Sequence, residues 1–187
     1  MKIADEFRTI VTAVLHDDPE ALDSLVVVGT DAHTLKWMIT PGVVSRGEHS
    51  HPPRREVICA LVARMLRLRW TREARVPARR DLDTFEAVSP HMKSYAEHGD
   101  GWIDLVIATI VSIHQKGPGP WHTTQIKEKY GGIRIYYHGD VGDQGDEIIE
   151  AAEMVSEHVC EVCGAPGRLR TGGWMMTRCD EHAGGRA

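Results

Sequence analysis

The spacing of apolar and polar residues along the chain predicts six helices. They are predicted for residues 2–15, 18–25, 54–72, 89–99, 101–115 and 144–158. Residues 2–15 place their apolar side chains on one stripe, as an amphipathic helix does. Asp18 followed by Pro19 is typical of an N-cap and the first helical position. The apolar interior of residues 54–72 is wide enough to require burial on more than one side.

Alternating patterns predict antiparallel hairpins. Residues 25–40 contain two β-branched and aromatic runs on either side of a turn. Residues 121–139 alternate on both sides of a Tyr130-Gly131-Gly132 turn, and Thr124 is predicted on the same face as Ile126. Together with the helices, these hairpins predict an α+β fold in which helices pack around antiparallel hairpins.

The composition fits a chain with a sizeable core. Of 187 residues, 42% are hydrophobic and 26% are charged, which is ordinary for a globular protein. The apolar stretch at residues 103–113 is too short for a membrane span and contains Asp104. Because residues 1–7 lack the pattern of a signal peptide, we expect a cytoplasmic protein without membrane contact.

The sharpest motif lies in the last thirty residues. Cys160 and Cys163 are separated by two residues, as are Cys179 and His182, and fifteen residues lie between the two pairs. This C-x2-C-x15-C-x2-H spacing lets both pairs turn toward one tetrahedral ion. Residues 168–177 have the pattern of strand, turn and strand, so we predict a zinc-ribbon-like hairpin with Gly164 at positive φ.

The four ligands predict one structural zinc ion. Three cysteines and a histidine fill every tetrahedral position, which leaves none open for a substrate. A disulfide would need an oxidising compartment and would leave His182 unexplained. A redox C-x-x-C motif would not explain the second pair. Cys59 lies in an apolar helix, and we predict that it is a core residue.

A weak boundary near residues 76–83 and the metal motif divide the chain into three predicted regions. Residues 1–85 form an α+β region of unknown role, residues 86–158 a helix–hairpin–helix region, and residues 159–187 a zinc-binding tail.

Charge is concentrated in two opposed blocks, although the net charge is only −5. The basic segment from Arg54 to Arg80 has nine arginines against two glutamates, and residues 140–161 have eight acids and no lysine or arginine. Three interpretations are open: the two blocks are solvated surfaces, they pack against each other, or they are free to bind a partner. If they pack against each other, Arg67 and Glu150 are the first pair of residues that we expect to be neighbours. The candidate nucleic-acid or partner-binding residues are Arg64, Arg67, Arg69, Arg72, Arg168, Arg170 and Arg178.

A second, weaker polar cluster lies at Glu48, His49 and His51. Two histidines spaced by one residue in an extended loop can face one metal or anion, but no third ligand has a recognisable spacing. The chain has no phosphate loop, nucleophile elbow or H-E-x-x-H motif. Trp102, Trp121 and Trp174 are each interpreted as packing anchors rather than base-stacking residues.

Three motifs carry a resemblance across residues 99–183: Gly101-Trp102 before an apolar helix, the sequence QIKEKYGGIRIY from Gln125 to Tyr136, and the Cys160–Cys163 and Cys179–His182 pairs. These residues resemble a group of small proteins encoded by bacteriophages and bacterial prophages. The resemblance implies a bacterial or phage cytoplasmic setting and a zinc tail, and it transfers no catalytic residue.

The favoured hypothesis is a non-enzymatic module that binds a protein partner. One alternative is nucleic-acid binding through the basic segment from Arg54 to Arg80. The other is a metal-dependent enzyme that uses Glu48, His49 and His51. No catalytic residue is assigned, and the sequence does not predict the oligomeric state.

Overall fold

The computed structural model describes residues 2–44, 51–73, 88–93 and 96–184. The helices are α1 (Ile3–Val14), α2 (Pro19–Ser24), α3 (Arg55–Thr71), α4 (Ile103–His114) and α5 (Gly142–Ser156). The strands are β1 (Val26–Val28), β2 (Lys36–Met38), β3 (Ala96–Glu97), β4 (Trp121–Lys129), β5 (Gly132–Gly139), β6 (Arg168–Arg170) and β7 (Met176–Arg178). Short 3₁₀ turns occur at Ser89–His91, Asp100–Trp102 and Asp180–His182.

The predicted α+β class is confirmed, because helices are combined with antiparallel strand pairs. Helix α3 lies at the centre and contacts α1, α4 and α5. The cluster of buried apolar side chains runs from Ile3 to Val159. Among the described residues, no helix has both the length and the apolar character that a membrane crossing requires. The division into three regions stays a prediction.

The β4–β5 hairpin is the longest strand pair. Its two-residue turn has Tyr130 at φ 55° and Gly131 at φ 78°, the positive values that a type I′ turn needs. The register shifts between Thr123 and Gln125. This bulge turns Thr123 into the core and leaves Thr124 exposed, so the predicted face of Thr124 is wrong.

The helix predicted for residues 89–99 is also wrong. Where residues 88–93 and 96–99 are described, the helical part is the Ser89–His91 turn, and Ala96 and Glu97 pair in parallel with Ile126 and Lys127 of β4. The His91 ring stacks on Trp121 with centroids 4.3 Å apart. The edge of β4 therefore binds this segment, and tertiary pairing overrides the helix-start signal at Ser89-Pro90.

Candidate metal centre and charged segments

Two short segments bring the four predicted metal ligands together. Cys160 and Cys163 follow the end of α5, in a turn that we call the knuckle (residues 160–164). Cys179 and His182 follow β7, at the Asp180–His182 turn. One donor atom from each of the four residues lies within 4.8 Å of the others, so the group could hold a metal ion.

The distances between donor atoms fit a tetrahedral centre. Ideal tetrahedral zinc geometry, with Zn–S near 2.3 Å and Zn–N near 2.0 Å, places two sulfurs about 3.8 Å apart and a sulfur and a nitrogen about 3.6 Å apart. The Sγ atoms of Cys163 and Cys179 are 3.8 Å apart. The distance from Cys160 Sγ to His182 Nδ1 is 3.6 Å, and that from Cys179 Sγ to the same nitrogen is 3.1 Å. Two of these three distances match the tetrahedral values and the third is shorter, so the four donors lie close enough together to hold one ion.

The knuckle is a tight hydrogen-bonded turn. The Gly164 amide donates to the Cys160 carbonyl at 2.8 Å, and the Cys160 amide donates to Ala165 at 2.8 Å. Gly164 has φ 73°, as predicted. The Cys163 thiol and neighbouring backbone amides donate to the Cys160 sulfur and lower its pKa to about 4, against the opposing effect of burial. The turn thus favours a thiolate at Cys160, which is the form that binds metals.

The body of the protein packs directly against the knuckle. The Gly101 amide donates to the Glu161 carbonyl at 2.9 Å. A Cβ atom at Gly99 would lie 2.1 Å from the Glu161 oxygen, and one at Gly101 would lie 2.3 Å from the Cys160 oxygen. The Gly99-Asp100-Gly101 loop is therefore a platform for the knuckle.

Two long side chains add to this contact. The Trp102 indole donates to the Val159 carbonyl at 2.7 Å, and Arg69 Nη1 donates to the Cys163 carbonyl at 2.5 Å. Arg69 also bonds Glu6 of α1 at 3.3 Å, with both side chains nearly buried. One arginine therefore connects α1, α3 and the knuckle. This role was missed, because nothing near Arg69 in the sequence marks its distant partners.

The second ligand pair follows a short, mostly exposed hairpin of β6 and β7. Thr177 Oγ1 donates to the Gly131 carbonyl at 2.6 Å, and the Thr177 carbonyl accepts from the Glu161 amide at 2.9 Å. The designation of this hairpin as a zinc ribbon stays a prediction. Trp102 and Trp121 are buried, as predicted, but Trp174 is 77% exposed at the hairpin tip, so its interpretation as a packing anchor is wrong.

Most of the candidate binding arginines already pair with carboxylates. Arg69 pairs with Glu6, Arg72 with Asp104, Arg178 with Glu161, and Arg168 and Arg170 with Asp180. Arg64 and Arg67 differ, because their guanidinium groups donate to neutral oxygens of Gln115 and Leu35. Five of the seven arginines are thus already paired within the molecule, three of them with carboxylates that are nearly buried.

The basic and acidic blocks contact each other at one end of α3. Arg54 donates to both carboxylate oxygens of Glu147, each at 2.8 Å, and the Arg54 amide bonds Glu147 Oε1 at 2.9 Å. This carboxylate lies at the N-terminus of α3, where a negative charge is favourable. Arg55 instead pairs with Asp18 and Glu20, outside the acidic block. The expected pairing of Arg67 with Glu150 is wrong, because Arg67 bonds Leu35.

The weaker polar cluster is only partly visible. Glu48 and His49 lie outside the described residues. The His51 amide donates to Glu150 Oε1 at 2.8 Å, and the His51 ring lies 3.9 Å from the same oxygen. His51 therefore lies against the acidic helix α5, next to the start of α3.

Comparison of the chain with protein-family models, curated proteins and solved structures finds no match. The resemblance to phage and prophage proteins remains an expectation from the sequence.

Proposed function

We propose that the protein is a zinc-stabilised, non-enzymatic module that binds a protein partner. The observation that carries the zinc assignment is the set of four donor atoms within 4.8 Å of one another. Three sulfurs and one imidazole nitrogen in tetrahedral array are the donors that structural zinc prefers. The phage or prophage setting implied by the resemblance is part of this proposal.

A zinc ion bound by all four residues would have no open coordination position. It would supply cross-linking rather than Lewis-acid catalysis, joining the knuckle to residues 179–182. The protein's own contribution is to aim the donors: the knuckle amides orient Cys160, and the Asp180–His182 turn brings His182 Nδ1 beside Cys179. This arrangement supports a structural role for the ion and a binding role for the protein.

Metal analysis of protein purified without a histidine tag tests the zinc assignment. We expect one equivalent of zinc per chain and its loss in Cys160→Ser. Cys59→Ala is the matched control, because Cys59 is buried in α3 and burial raises the pKa of its thiol to about 12. A wild-type content below about half an equivalent, or unchanged content in Cys160→Ser, would contradict the assignment.

The binding surface that we propose lies where the tips of two hairpins meet. Tyr130 is 67% and Trp174 77% exposed, and they line a groove of about 410 Å³ with Met175. Glu128 and Lys129 border this groove, and the Lys129 ammonium lies 5.5 Å from the centroid of the Tyr130 ring. An apolar centre with a mixed-charge border resembles protein interfaces, in which Trp and Tyr contribute strongly.

Photocrosslinking tests this surface. A photoreactive amino acid placed at position 129, at the border of the groove, is expected to capture one protein, and the purified pair is expected to bind with a Kd that rises at least about tenfold in Trp174→Ala. Met38→Ala is the matched control, because Met38 is 65% exposed on β2 but does not line the groove. Equal losses in both variants, or no loss in Trp174→Ala, would contradict the proposal.

The two alternative functions have less support. Nucleic-acid binding would use seven arginines of which five pair with internal carboxylates. For the enzyme hypothesis, His51 is the one member of the proposed trio within the described residues, and its amide and ring both face Glu150.

A further inference from the structure

One face of α3 is left open by the helices that pack around it. Its positions 57, 60, 64, 67, 68 and 71 follow helical spacing and are exposed or half-buried. The other positions include the buried Ile58, Leu61, Val62, Met65 and Leu66. The open face is therefore a continuous strip along the helix.

This strip forms the floor of a groove. Trp37 of β2 lies along it, and Ser112, Gln115 and Lys116 border it at the end of α4. Two adjoining cavities of about 570 and 380 Å³ share Trp37, Ala60 and Arg64. Each has the size of a small-molecule site.

Arg64 and Arg67 differ from Arg54, which also lines the groove but pairs with Glu147. Arg64 Nη2 donates to Gln115 Oε1 at 2.6 Å, and Arg67 Nη2 donates to the Leu35 carbonyl at 2.9 Å. Among the described residues, neither has a carboxylate within 4.0 Å. Burial, together with the charge of Arg67, lowers the pKa of the Arg64 guanidinium. Their positive charges are therefore not neutralised locally.

The acidic side chain that borders the groove, Glu56, lies at the opposite end of the groove from Arg64 and Arg67. Glu56 is 4.0 Å from Arg54, and it precedes Arg64 by eight residues, or about 12 Å along the helix axis. Lys116 is exposed beside the groove. The region around Arg64 and Arg67 is thus positive, while Ala60, Leu61 and Trp37 supply apolar surface.

We propose that this groove binds a small organic anion, with its phosphate or carboxylate group on Arg64 and Arg67 and its apolar body over Ala60 and Trp37. Guanidinium groups match the planar, paired oxygens of carboxylates and phosphates. Among the described residues, each of the two guanidinium groups donates one hydrogen bond, to a neutral oxygen, so each retains N–H donors for a ligand. The site is separate from the metal ligands and from the Tyr130 and Trp174 surface.

Calorimetric titration with four related probes tests the ligand class. The probes are 1-naphthyl phosphate, 1-naphthoate, inorganic phosphate and the uncharged 1-naphthol. We expect at least one naphthyl anion to bind with a Kd below about 1 mM, and the tighter of the two identifies the preferred anion. Failure of both anions to saturate by about 5 mM, or equal binding of 1-naphthol or of inorganic phosphate, would overturn the proposal.

Substitutions test the position of the site. The double variant Arg64→Gln with Arg67→Gln is expected to weaken binding at least tenfold, because it removes two charged donors. Ala60→Glu keeps both arginines and places an acid on the groove floor, so it should also weaken binding even if the double variant folds poorly. Arg168→Gln is the matched control, an exposed arginine paired with Asp180, and should bind as wild type does. Unchanged affinity in both groove variants would overturn the proposal.

Discussion

Cys160 and Cys163 lie in a turn that the rest of the molecule holds, whereas Cys179 and His182 lie at the end of an exposed hairpin. The knuckle contacts Gly99, Gly101 and Arg69 through hydrogen bonds or close backbone packing, and Trp102 bonds the preceding residue, Val159. The hairpin contacts the body through Thr177, Arg178 and the Gly131 turn. Both ligand pairs offer similar donor atoms, but the contacts that hold the two pairs in place differ.

The difference shows how a metal site is shared between a preformed half and a half that depends on the ion. Burial and hydrogen bonds can hold the knuckle without a metal. The hairpin has strands of three residues, which are too short to be stable alone. We therefore expect metal binding to contribute mainly to the order of residues 168–184.

Metal removal should have the largest effect and should separate the two halves. After chelation, amides of β6, β7 and the Asp180–His182 turn should lose protection from hydrogen exchange first. The amides of Gly101, Cys160 and Gly164 should retain more protection, because their acceptors lie in residues 160–165 and not in the hairpin. Hydrogen exchange measured by mass spectrometry before and after chelation gives this order. Simultaneous loss in both segments would show that the knuckle is not preformed.

Arg69→Gln should be the most damaging single substitution at the knuckle. It leaves the nearly buried Glu6 carboxylate without its cation and removes the bond to Cys163, so we expect a loss of about 3–5 kcal/mol in unfolding free energy. Urea unfolding measures this loss, with Arg168→Gln as the exposed control. A double change of Glu6→Gln with Arg69→Met should cost less than Arg69→Gln alone, because no buried charge is left unpaired. A loss below about 1 kcal/mol for Arg69→Gln would contradict the role of Arg69 in connecting α1, α3 and the knuckle.

Gly101→Ala tests how much the close backbone packing against the knuckle contributes, apart from the side-chain hydrogen bonds. Its Cβ would lie 2.3 Å from the Cys160 oxygen and 2.6 Å from the Gly164 nitrogen, so the knuckle must shift. We expect a loss of about 2 kcal/mol and weaker zinc retention against a chelator. Gly172→Ala, in the hairpin turn where nothing lies within 4 Å of the added atom, is the control and should change neither. Equal behaviour of the two variants would mean that the platform does not support the knuckle.

The smallest expected effect concerns Glu147, on the helix that leads to the knuckle. Burial raises its pKa, but hydrogen bonds and the charge of Arg54 outweigh burial and lower the pKa below its ordinary value. Because the folded-state pKa is lowered, the stabilisation is present above the unfolded pKa of about 4.3 and is lost as pH falls through the folded pKa. Glu147→Gln should therefore cost about 1 kcal/mol at pH 7, and the difference from wild type should close below about pH 4. Urea titrations across pH check this, and a constant difference down to about pH 3 would contradict it.

Elements defined by local signals were predicted well. The β4–β5 hairpin follows from alternation around a turn with two glycines, and α3 follows from apolar spacing and a proline pair before it. Strand β3 was not predicted, because its partner Ile126 lies thirty residues further along the chain. The bulge at Thr123 was missed for a related reason: one extra residue reverses the alternation without changing the composition.

The candidate metal site divides in the same way. The four ligands followed from spacing alone, because each pair is local in sequence. The residues that hold these ligands in place did not follow from the sequence. Arg69 lies 94 residues from its partner Cys163, and Gly101 lies 59 residues from its partner Cys160. The partner of Arg67 was not predicted either. The helical periodicity gives the face of α3 on which Arg67 lies, but it does not identify the element that packs against that face.

The unequal burial of the ligands sets the route by which an ion would exchange. Cys160 is fully buried, while Cys163, Cys179 and His182 are partly accessible. A chelator or a competing metal would therefore approach from the hairpin side, and His182 and Cys179 would be displaced before Cys160. The exchange rate would follow the opening of the short hairpin, which is a faster local event than unfolding of the helical core. Metal turnover at this site would then proceed while the rest of the protein stays folded.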